Sequence, residues 1–93
     1  MIKTLKGRDT QRFHAGRRVK RFEGFEHQAE RRLAVLDAAP TVEALAALPS
    51  NRLEALGGDR AGQYSIRINE QWRICFAWRD GDSYDVEIVD YHQ

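Results

Sequence analysis

The feature that most constrains the fold is an alternating run from Trp72 to Arg79. Bulky apolar side chains at every second position are separated by small or cationic ones: Trp72, Ile74, Phe76 and Trp78 against Arg73, Cys75, Ala77 and Arg79. Since successive side chains of a strand point to opposite faces of a sheet, the run predicts a strand with one face in the core. Arg73 then falls on the other face beside small neighbours, where we expect its guanidinium to have open space for a phosphate.

Other strand candidates surround this run. Tyr64–Ile68 precedes it, and after Asp80-Gly81, a pair typical of a tight hairpin, the chain returns over Tyr84–His92. Arg52–Leu56 alternates weakly, and Ile2–Leu5 reads as a short first strand paired to the later sheet. The second half of the chain is therefore predicted to be an antiparallel meander.

Helical patterns fill most of the first half. Asp9 or Thr10 is predicted to cap a short helix that ends near Gly16, and Gly24–Ala39 carries an apolar stripe at helical spacing: Phe25, Ala29, Leu33 and Leu36. A shorter helix is predicted between Thr41 as its cap and Pro49, with three apolar positions: Val42, Leu45 and Leu48. This order predicts an α+β fold, a twisted antiparallel sheet of four or five strands with two or three helices on one face. Its uncovered face would carry the functional side chains: Ser65, Arg67, Arg73 and Arg79.

The last predicted strand ends in three side chains capable of proton transfer: Asp90, Tyr91 and His92. Strand parity assigns three earlier side chains to the core: Tyr84, Val86 and Ile88. Tyr91 therefore falls on the face of Arg73. Cleavage of RNA needs a base, a proton donor and positive charge near the phosphate, all of which these residue types supply. A polar tail ending in an ordinary tyrosine is the alternative.

Length and composition bound the remaining possibilities. The 93 residues are enough for one domain, residues 1–93, with one modest core. No apolar run approaches the roughly 20 residues of a membrane helix, and the N-terminus lacks the apolar segment of a signal peptide, so we expect a cytoplasmic protein without membrane contact. Cys75 is the only cysteine and is interpreted as a small strand filler. The three histidines lie on different elements, which argues against a metal site.

Positive charge is concentrated at the N-terminal end, although the net charge is only +1. The first 21 residues contain one acidic residue and eight cations: Lys3, Lys6, Arg8, Arg12, Arg17, Arg18, Lys20 and Arg21. Such asymmetry favours a polyanion partner, with Arg17, Arg18, Lys20 and Arg21 as an exposed RNA-binding loop. Cations scattered for solubility are the alternative. In the turn Gly57–Gly62, Arg60 either braces the loop or meets a phosphate.

Several motifs together resemble those of the HigB (host inhibition of growth, plasmid-maintenance killer) toxins in the RelE-like superfamily. The resemblance covers nearly the whole chain, including Arg52–Phe76 and the closing Glu87–His92. Its most specific pieces are Gly58-Asp59-Arg60, Ser65-Ile66-Arg67, Trp72-Arg73-Ile74 and Asp90-Tyr91-His92.

This resemblance implies a RelE-like fold and a type II toxin that enters the ribosomal A site, cuts mRNA without metal or cofactor, and so inhibits translation. Arg73 would stabilise the scissile phosphate, Asp90 and Tyr91 would orient or assist the reacting groups, and His92 would be an acid or base. Six cations are expected to bind RNA: Arg17, Arg18, Lys20, Arg21, Arg60 and Arg67.

The resemblance also implies a HigA-type helix-turn-helix antitoxin, through which alone the toxin would meet operator DNA. A catalytically weak RelE-like module that mainly binds this antitoxin and takes part in operon repression is the alternative function. This chain has Glu54 and Gly57 where a histidine and a lysine can appear in the family. Because a glutamate repels phosphate and the lysine is missing, we expect a weaker or differently tuned nuclease.

Overall fold

The computed structural model describes residues 1–91, in which three α-helices precede a four-stranded antiparallel sheet. The helices are α1 (Arg8–His14), α2 (Glu26–Ala38) and α3 (Val42–Ala46). The strands are β1 (Glu54–Ala55), β2 (Gln63–Arg67), β3 (Trp72–Arg79) and β4 (Asp82–Asp90), in the sheet order β1-β2-β3-β4. The predicted α+β meander is confirmed.

The core lies between the helices and one face of the sheet. Ile74 and Phe76 of β3 are completely buried in one cluster with Leu36 of α2. Trp72 stacks on Phe25, with ring centroids 5.0 Å apart and an angle of 29° between the rings. The alternation of β3 and the stripe of α2 are thus confirmed, because each places its bulky residues against the other element.

The N-terminal segment lies along the free edge of β4 without becoming a regular strand. Ile2 bridges Ser83 and Leu5 bridges Val86, both in parallel orientation. The amide of Lys3 donates to the carbonyl of Ser83 at 2.8 Å. The predicted pairing to the sheet is confirmed, but only as two isolated bridges.

A bulge in β4 corrects the parity predicted for Tyr84. Ala77 pairs with Tyr84 but Cys75 pairs with Glu87, so β4 holds one extra residue between these pairs. Asp85 lies there with a φ of 53°, and its amide donates to Thr4 Oγ1 at 2.8 Å. The extra residue shifts the phase of the strand. Tyr84 therefore lies on the face away from the helices, under the Arg79 guanidinium, whose carbon is 4.2 Å from the ring centroid.

The third helix is shorter than its sequence pattern suggested. Thr41 caps it as predicted, since its Oγ1 accepts from the amide of Ala44 at 3.0 Å. Leu45 is buried, but Leu48 lies beyond the end of the helix and is 47% exposed. Its assignment to this helix was therefore wrong, because Pro49 starts a separate single turn directly after it. Within residues 1–91, no helix combines the length and the apolar character needed to cross a membrane.

Candidate active site

A groove of about 560 Å³ opens on the sheet face away from the helices. It lies where the start of β1, the β2–β3 turn and the end of β4 meet. Asn69 shapes the turn, because its Oδ1 accepts from the amides of Gln71 and Trp72, both at 2.8 Å. Five charged side chains contribute to the lining: Arg52, Glu54, Arg67, Glu70 and Arg73.

Arg73 is anchored to the fold and is only 7% exposed. Its Nε donates to Ser65 Oγ at 2.7 Å, and its Nη2 donates to the carbonyl of Ser65 at 3.3 Å. Nη2 also donates to the carbonyl of Arg52. The expected open space around this guanidinium was wrong, because acceptors on the neighbouring strand and on the segment before β1 draw it down along the sheet. The fork edge formed by Nε and Nη2 is consequently not available to a phosphate.

The carbonyl that receives Arg73 is held in place by the helical layer. Arg52 has a left-handed backbone conformation, with φ 45° and ψ 53°. The preceding Asn51 is completely buried. Its Nδ2 donates to the carbonyl of Leu45 at 3.0 Å, and its Oδ1 accepts from Arg32 of α2. A side chain of α2 and a backbone carbonyl of α3 thus fix the turn that orients the Arg52 carbonyl toward the sheet.

The outward side of Arg73 faces a carboxylate and a phenol. Its Nη1 lies 3.7 Å from Glu54 Oε1, and the exposed fractions of the two side chains are 8% and 52%. The guanidinium carbon of Arg73 lies 5.7 Å from the centre of the Tyr91 ring, a distance typical of a cation–π contact. The predicted position of Tyr91 on the face of Arg73 is confirmed. A cation, a carboxylate and a phenol therefore share one solvent-open groove.

Of the other two predicted catalytic residues, only Asp90 is described, and it does not join this group. Asp90 is opposite Trp72 in the register, on the other face of β4 from Tyr91. Its Oδ2 accepts from Gln71 Nε2 at 3.1 Å, so it is held near the end of the sheet. His92 lies outside the described residues. The structure brings together Arg73 and Tyr91.

Arg60 and Arg67 have different surroundings, although both were predicted to bind RNA. Arg60 braces its own turn against the sheet, donating to Gln63 Oε1 at 3.1 Å and to Glu87 Oε1 at 3.2 Å. Arg67 lines the groove, and its Nη2 lies 4.0 Å from Glu70 Oε1. The structure therefore places Arg67 beside Arg73 and gives Arg60 a bracing contact.

The predicted basic loop forms a second cationic surface that does not contribute to the groove. Its four cations, which we call the basic connector, are all exposed: Arg17, Arg18, Lys20 and Arg21. The loop is not purely a surface segment, since Val19 is 5% exposed, Phe22 is completely buried, and a single helical turn begins at Lys20. Arg18 pairs with Glu23 at 2.7 Å and Arg21 with Asp9 at 3.0 Å.

Sequence reasoning did not single out Arg52 or Gln71, which line the groove. Neither has a local motif, since Arg52 acquires its position from a left-handed turn and Gln71 from a reversal between strands. The turn-forming Asn69 was the available signal for Gln71, because a short Asn side chain commonly accepts from amides two and three residues on.

Cys75 is close to the groove but is not equipped for chemistry. It is completely buried on β3, and burial raises the pKa of its thiol. Nearby Arg60 and Arg73 lower this pKa and Glu87 raises it, all by less than the burial effect. In the described part of the chain, no three His, Cys, Asp or Glu side chains are grouped as metal ligands.

Comparisons with known proteins agree with the resemblance. A family model described as "RelE-like toxin of type II toxin-antitoxin system HigB" matches residues 6–92. Toxin HigB-1 of Vibrio cholerae serotype O1 is 45% identical over 56 residues, which are 60% of this chain and 59% of that protein. Endoribonuclease HigB of Proteus vulgaris is 44% identical over 41 residues, 44% of this chain and 45% of that protein. The chain thus matches between 45% and 59% of the length of these curated relatives.

Solved structures show the same fold at low identity. A mutant of YafQ from E. coli superimposes with a TM-score of 0.62 at 10% identity, covering 97% of this chain and 93% of that one. The YoeB-YefM toxin-antitoxin complex from Staphylococcus aureus gives a TM-score of 0.58 at 15% identity, covering 100% and 99% of the two chains. Because the family model spans nearly all of the sequence and the fold agrees, the chain belongs to the HigB family of RelE-like toxins from type II toxin-antitoxin systems.

Proposed function

We propose that this chain is a ribosome-dependent mRNA endonuclease that inhibits translation, with the groove around Arg73 as its active site. The observation that carries the proposal is the approach of the Arg73 guanidinium to the Tyr91 ring, 5.7 Å apart, in an open groove. Membership of the HigB family supports it, as does a relative named as an endoribonuclease. Residues 1–93 would act as one toxin domain.

The proposed reaction needs only side chains and RNA. The 2′-hydroxyl of one nucleotide loses its proton and forms a bond to the adjacent phosphorus, and the bond from phosphorus to the 5′-oxygen breaks as that oxygen takes up a proton. Arg73 would stabilise the charge that develops on the phosphate, together with Arg67 in the same groove. Tyr91 and His92 would share orientation and proton transfer, without metal or cofactor. Asp90, on the other face of the sheet, would assist by holding Gln71 of the groove lining.

The shape of the groove gives a reason for dependence on the ribosome. The groove is open to solvent, and among the described residues its lining contains three cations that could hold RNA phosphates: Arg52, Arg67 and Arg73. Because correct orientation supplies a large part of a catalytic advantage, a partner that holds the mRNA can replace contacts that the small sheet lacks. The basic connector would then bind ribosomal RNA phosphates near the A site.

The second partner in this proposal is an antitoxin. The family description names a toxin-antitoxin system, and the S. aureus YoeB fold relative was solved with YefM. For this chain the proposed antitoxin is of the HigA type with a helix-turn-helix domain, and operator DNA is contacted only through it. The complex would repress its operon in the cytoplasm.

The experiment compares cleavage of free mRNA with cleavage of the same mRNA on programmed ribosomes, mapping new 5′ ends after short incubation. We expect cuts on ribosomes and little cleavage of free RNA. Equal cleavage of both, or none on ribosomes, would contradict the proposal. Tyr91→Phe keeps the ring beside Arg73 and removes the hydroxyl, so the rate should fall by about 10² if the phenol transfers a proton.

Tyr84→Phe is the matched control, because Tyr84 lies on the same sheet face but under Arg79. Its rate on ribosomes should equal that of the wild type. The alternative function, a catalytically weak module that mainly binds antitoxin, is favoured by one observation: the fork edge of Arg73 is already bonded to Ser65 and Arg52. That function predicts tight antitoxin binding with no new 5′ ends.

A further inference from the structure

Arg73 has one side left for an anion, and that side already faces an acidic residue. Nε and Nη2 are bonded to Ser65 and to the carbonyl of Arg52. Nη1 faces the groove and lies 3.7 Å from Glu54 Oε1. Since the Arg73 side chain is only 8% exposed, an incoming phosphate would approach it from the side on which Glu54 stands.

The contact between Glu54 and Arg73 is one that can open. Its length of 3.7 Å exceeds the roughly 3.2 Å limit of a good N–H···O bond, and the Glu54 side chain is 52% exposed. Glu54 lies on β1, which is only two residues long. Solvent screens such an ion pair, so a better-placed anion can compete with the carboxylate.

We propose that Glu54 is a selectivity residue that competes with RNA phosphate for Arg73, so that a weakly held free RNA is rejected and a phosphate positioned by the ribosome is accepted. This proposal rests on the proposed function. In the free protein the carboxylate holds the outward side of the guanidinium. A bound phosphate would displace it and pair with Nη1, while the anchored Nε and Nη2 keep the arginine in place.

The chain offers a matched pair of variants for the test. Glu54→Gln and Glu70→Gln each remove one negative charge from the lining of the same groove. Glu54 is 3.7 Å from the buried Arg73, whereas Glu70 is 95% exposed and 4.0 Å from Arg67. If only overall charge matters, the two variants should bind RNA alike. If Glu54 occupies the Arg73 site, Glu54→Gln should have the larger effect.

The measurement is the affinity of the full chain for a short 2′-O-methyl RNA, which cannot be cleaved by attack of the 2′-oxygen, at several salt concentrations. For Glu54→Gln we expect affinity at low salt to rise by about fivefold, the upper range for an exposed ion pair. The slope of log affinity against log salt should steepen by about 0.7, the value for one additional phosphate contact on a single strand. Glu70→Gln should give a smaller rise and an unchanged slope.

Cleavage assays separate this proposal from the proposed function. In Glu54→Gln the ratio of free-RNA cleavage to ribosomal cleavage should rise relative to the ratios of the wild type and of Glu70→Gln. Unchanged affinity and slope in a variant with wild-type thermal unfolding would overturn the role of Glu54, even if mRNA on ribosomes is cut. Loss of ribosomal cleavage with unchanged RNA affinity would also overturn it, because the carboxylate would then act as a proton acceptor. If the salt slope of Glu54→Gln is steeper but the wild type does not cut mRNA on ribosomes, competition between Glu54 and phosphate is supported and the proposed nuclease function is refuted.

Discussion

The groove around Arg73 and the basic connector differ in how their cationic side chains are bonded to the rest of the protein. At Arg73 the guanidinium is nearly buried and bonded to Ser65 and to the carbonyl of Arg52. In the basic connector every cation is exposed, and Arg18 and Arg21 form surface ion pairs with Glu23 and Asp9. The Arg21 guanidinium also covers the Trp72 ring from outside, with its carbon 5.4 Å from the ring centroid. Arg73 therefore contributes to the stability of the fold, whereas the cations of the basic connector contribute little to it.

The difference shows how a small sheet can keep one cation fixed at a site. A buried guanidinium without acceptors would be costly, so its position near Tyr91 depends on the hydrogen bonds behind it. Substituting Arg73 then changes stability and chemistry together, whereas substituting Arg17 or Lys20 of the basic connector should change binding alone.

Arg73→Ala should lower the free energy of unfolding by about 2–4 kcal/mol, because it leaves the acceptors at Ser65 and Arg52 without their buried donor. Urea unfolding measured by tryptophan fluorescence gives this quantity. Arg79→Ala is the matched control on the same face of β3, where the guanidinium is exposed over Tyr84. It should cost far less, and equal losses in the two variants would contradict the anchoring role of Arg73.

The double substitution Arg17→Gln and Lys20→Gln should leave the unfolding midpoint unchanged and weaken binding to ribosomes. Both side chains are exposed, and neither has an ion-pair partner among residues 1–91. For each phosphate contact that the substitutions remove, the log–log slope of binding against salt should become shallower by about 0.7 to 0.9. A control with Lys3→Gln and Arg31→Gln removes the same charge elsewhere. If this control changes the salt slope equally, the basic connector has no specific role in ribosome binding.

The smallest expected effect is the contribution of the Cys75 thiol to the pH dependence of the free energy of unfolding at alkaline pH. Burial raises the pKa of the folded thiol above its ordinary value of 9.0. Well below that value the thiol is protonated in both states and contributes no pH dependence. Above that value the unfolded thiol ionises first, so the free energy of unfolding should fall as the pH rises toward the folded pKa. Cys75→Ala should lack this part of the decline, and a parallel pH profile would show that the thiol is not perturbed.

The parts of the fold that the sequence predicted well are those decided by periodicity. The alternation of β3 and the stripe of α2 each place apolar side chains at the spacing of their own element, and both pack as expected. Two local predictions were also confirmed. Thr41 caps α3, and Asp80-Gly81 forms the turn between β3 and β4, with φ of 51° and 83° at the two residues. Local chemistry was sufficient because each signal acts within a few positions along the chain.

The candidate site was predicted only in part, because its details depend on distant partners. Parity correctly placed Tyr91 on the face of Arg73. It could not reveal that Arg73 is buried, since the decisive acceptors are eight and 21 residues away and one is a backbone carbonyl. The left-handed Arg52 that supplies this carbonyl is no glycine or asparagine, so its backbone conformation carries no obvious signature.

The bulge at Asp85 has a consequence for the spacing between the hairpin tip and the groove. One surplus residue is accommodated between the Tyr84 and Glu87 pairs, while the register on either side stays intact. Removing Asp85 should therefore leave Tyr91 on its present side of the sheet, whereas adding a residue beyond the bulge would turn the closing ring toward the helices. The hairpin tip of β4 can therefore change in length and sequence without changing the side of the sheet on which the Tyr91 ring lies.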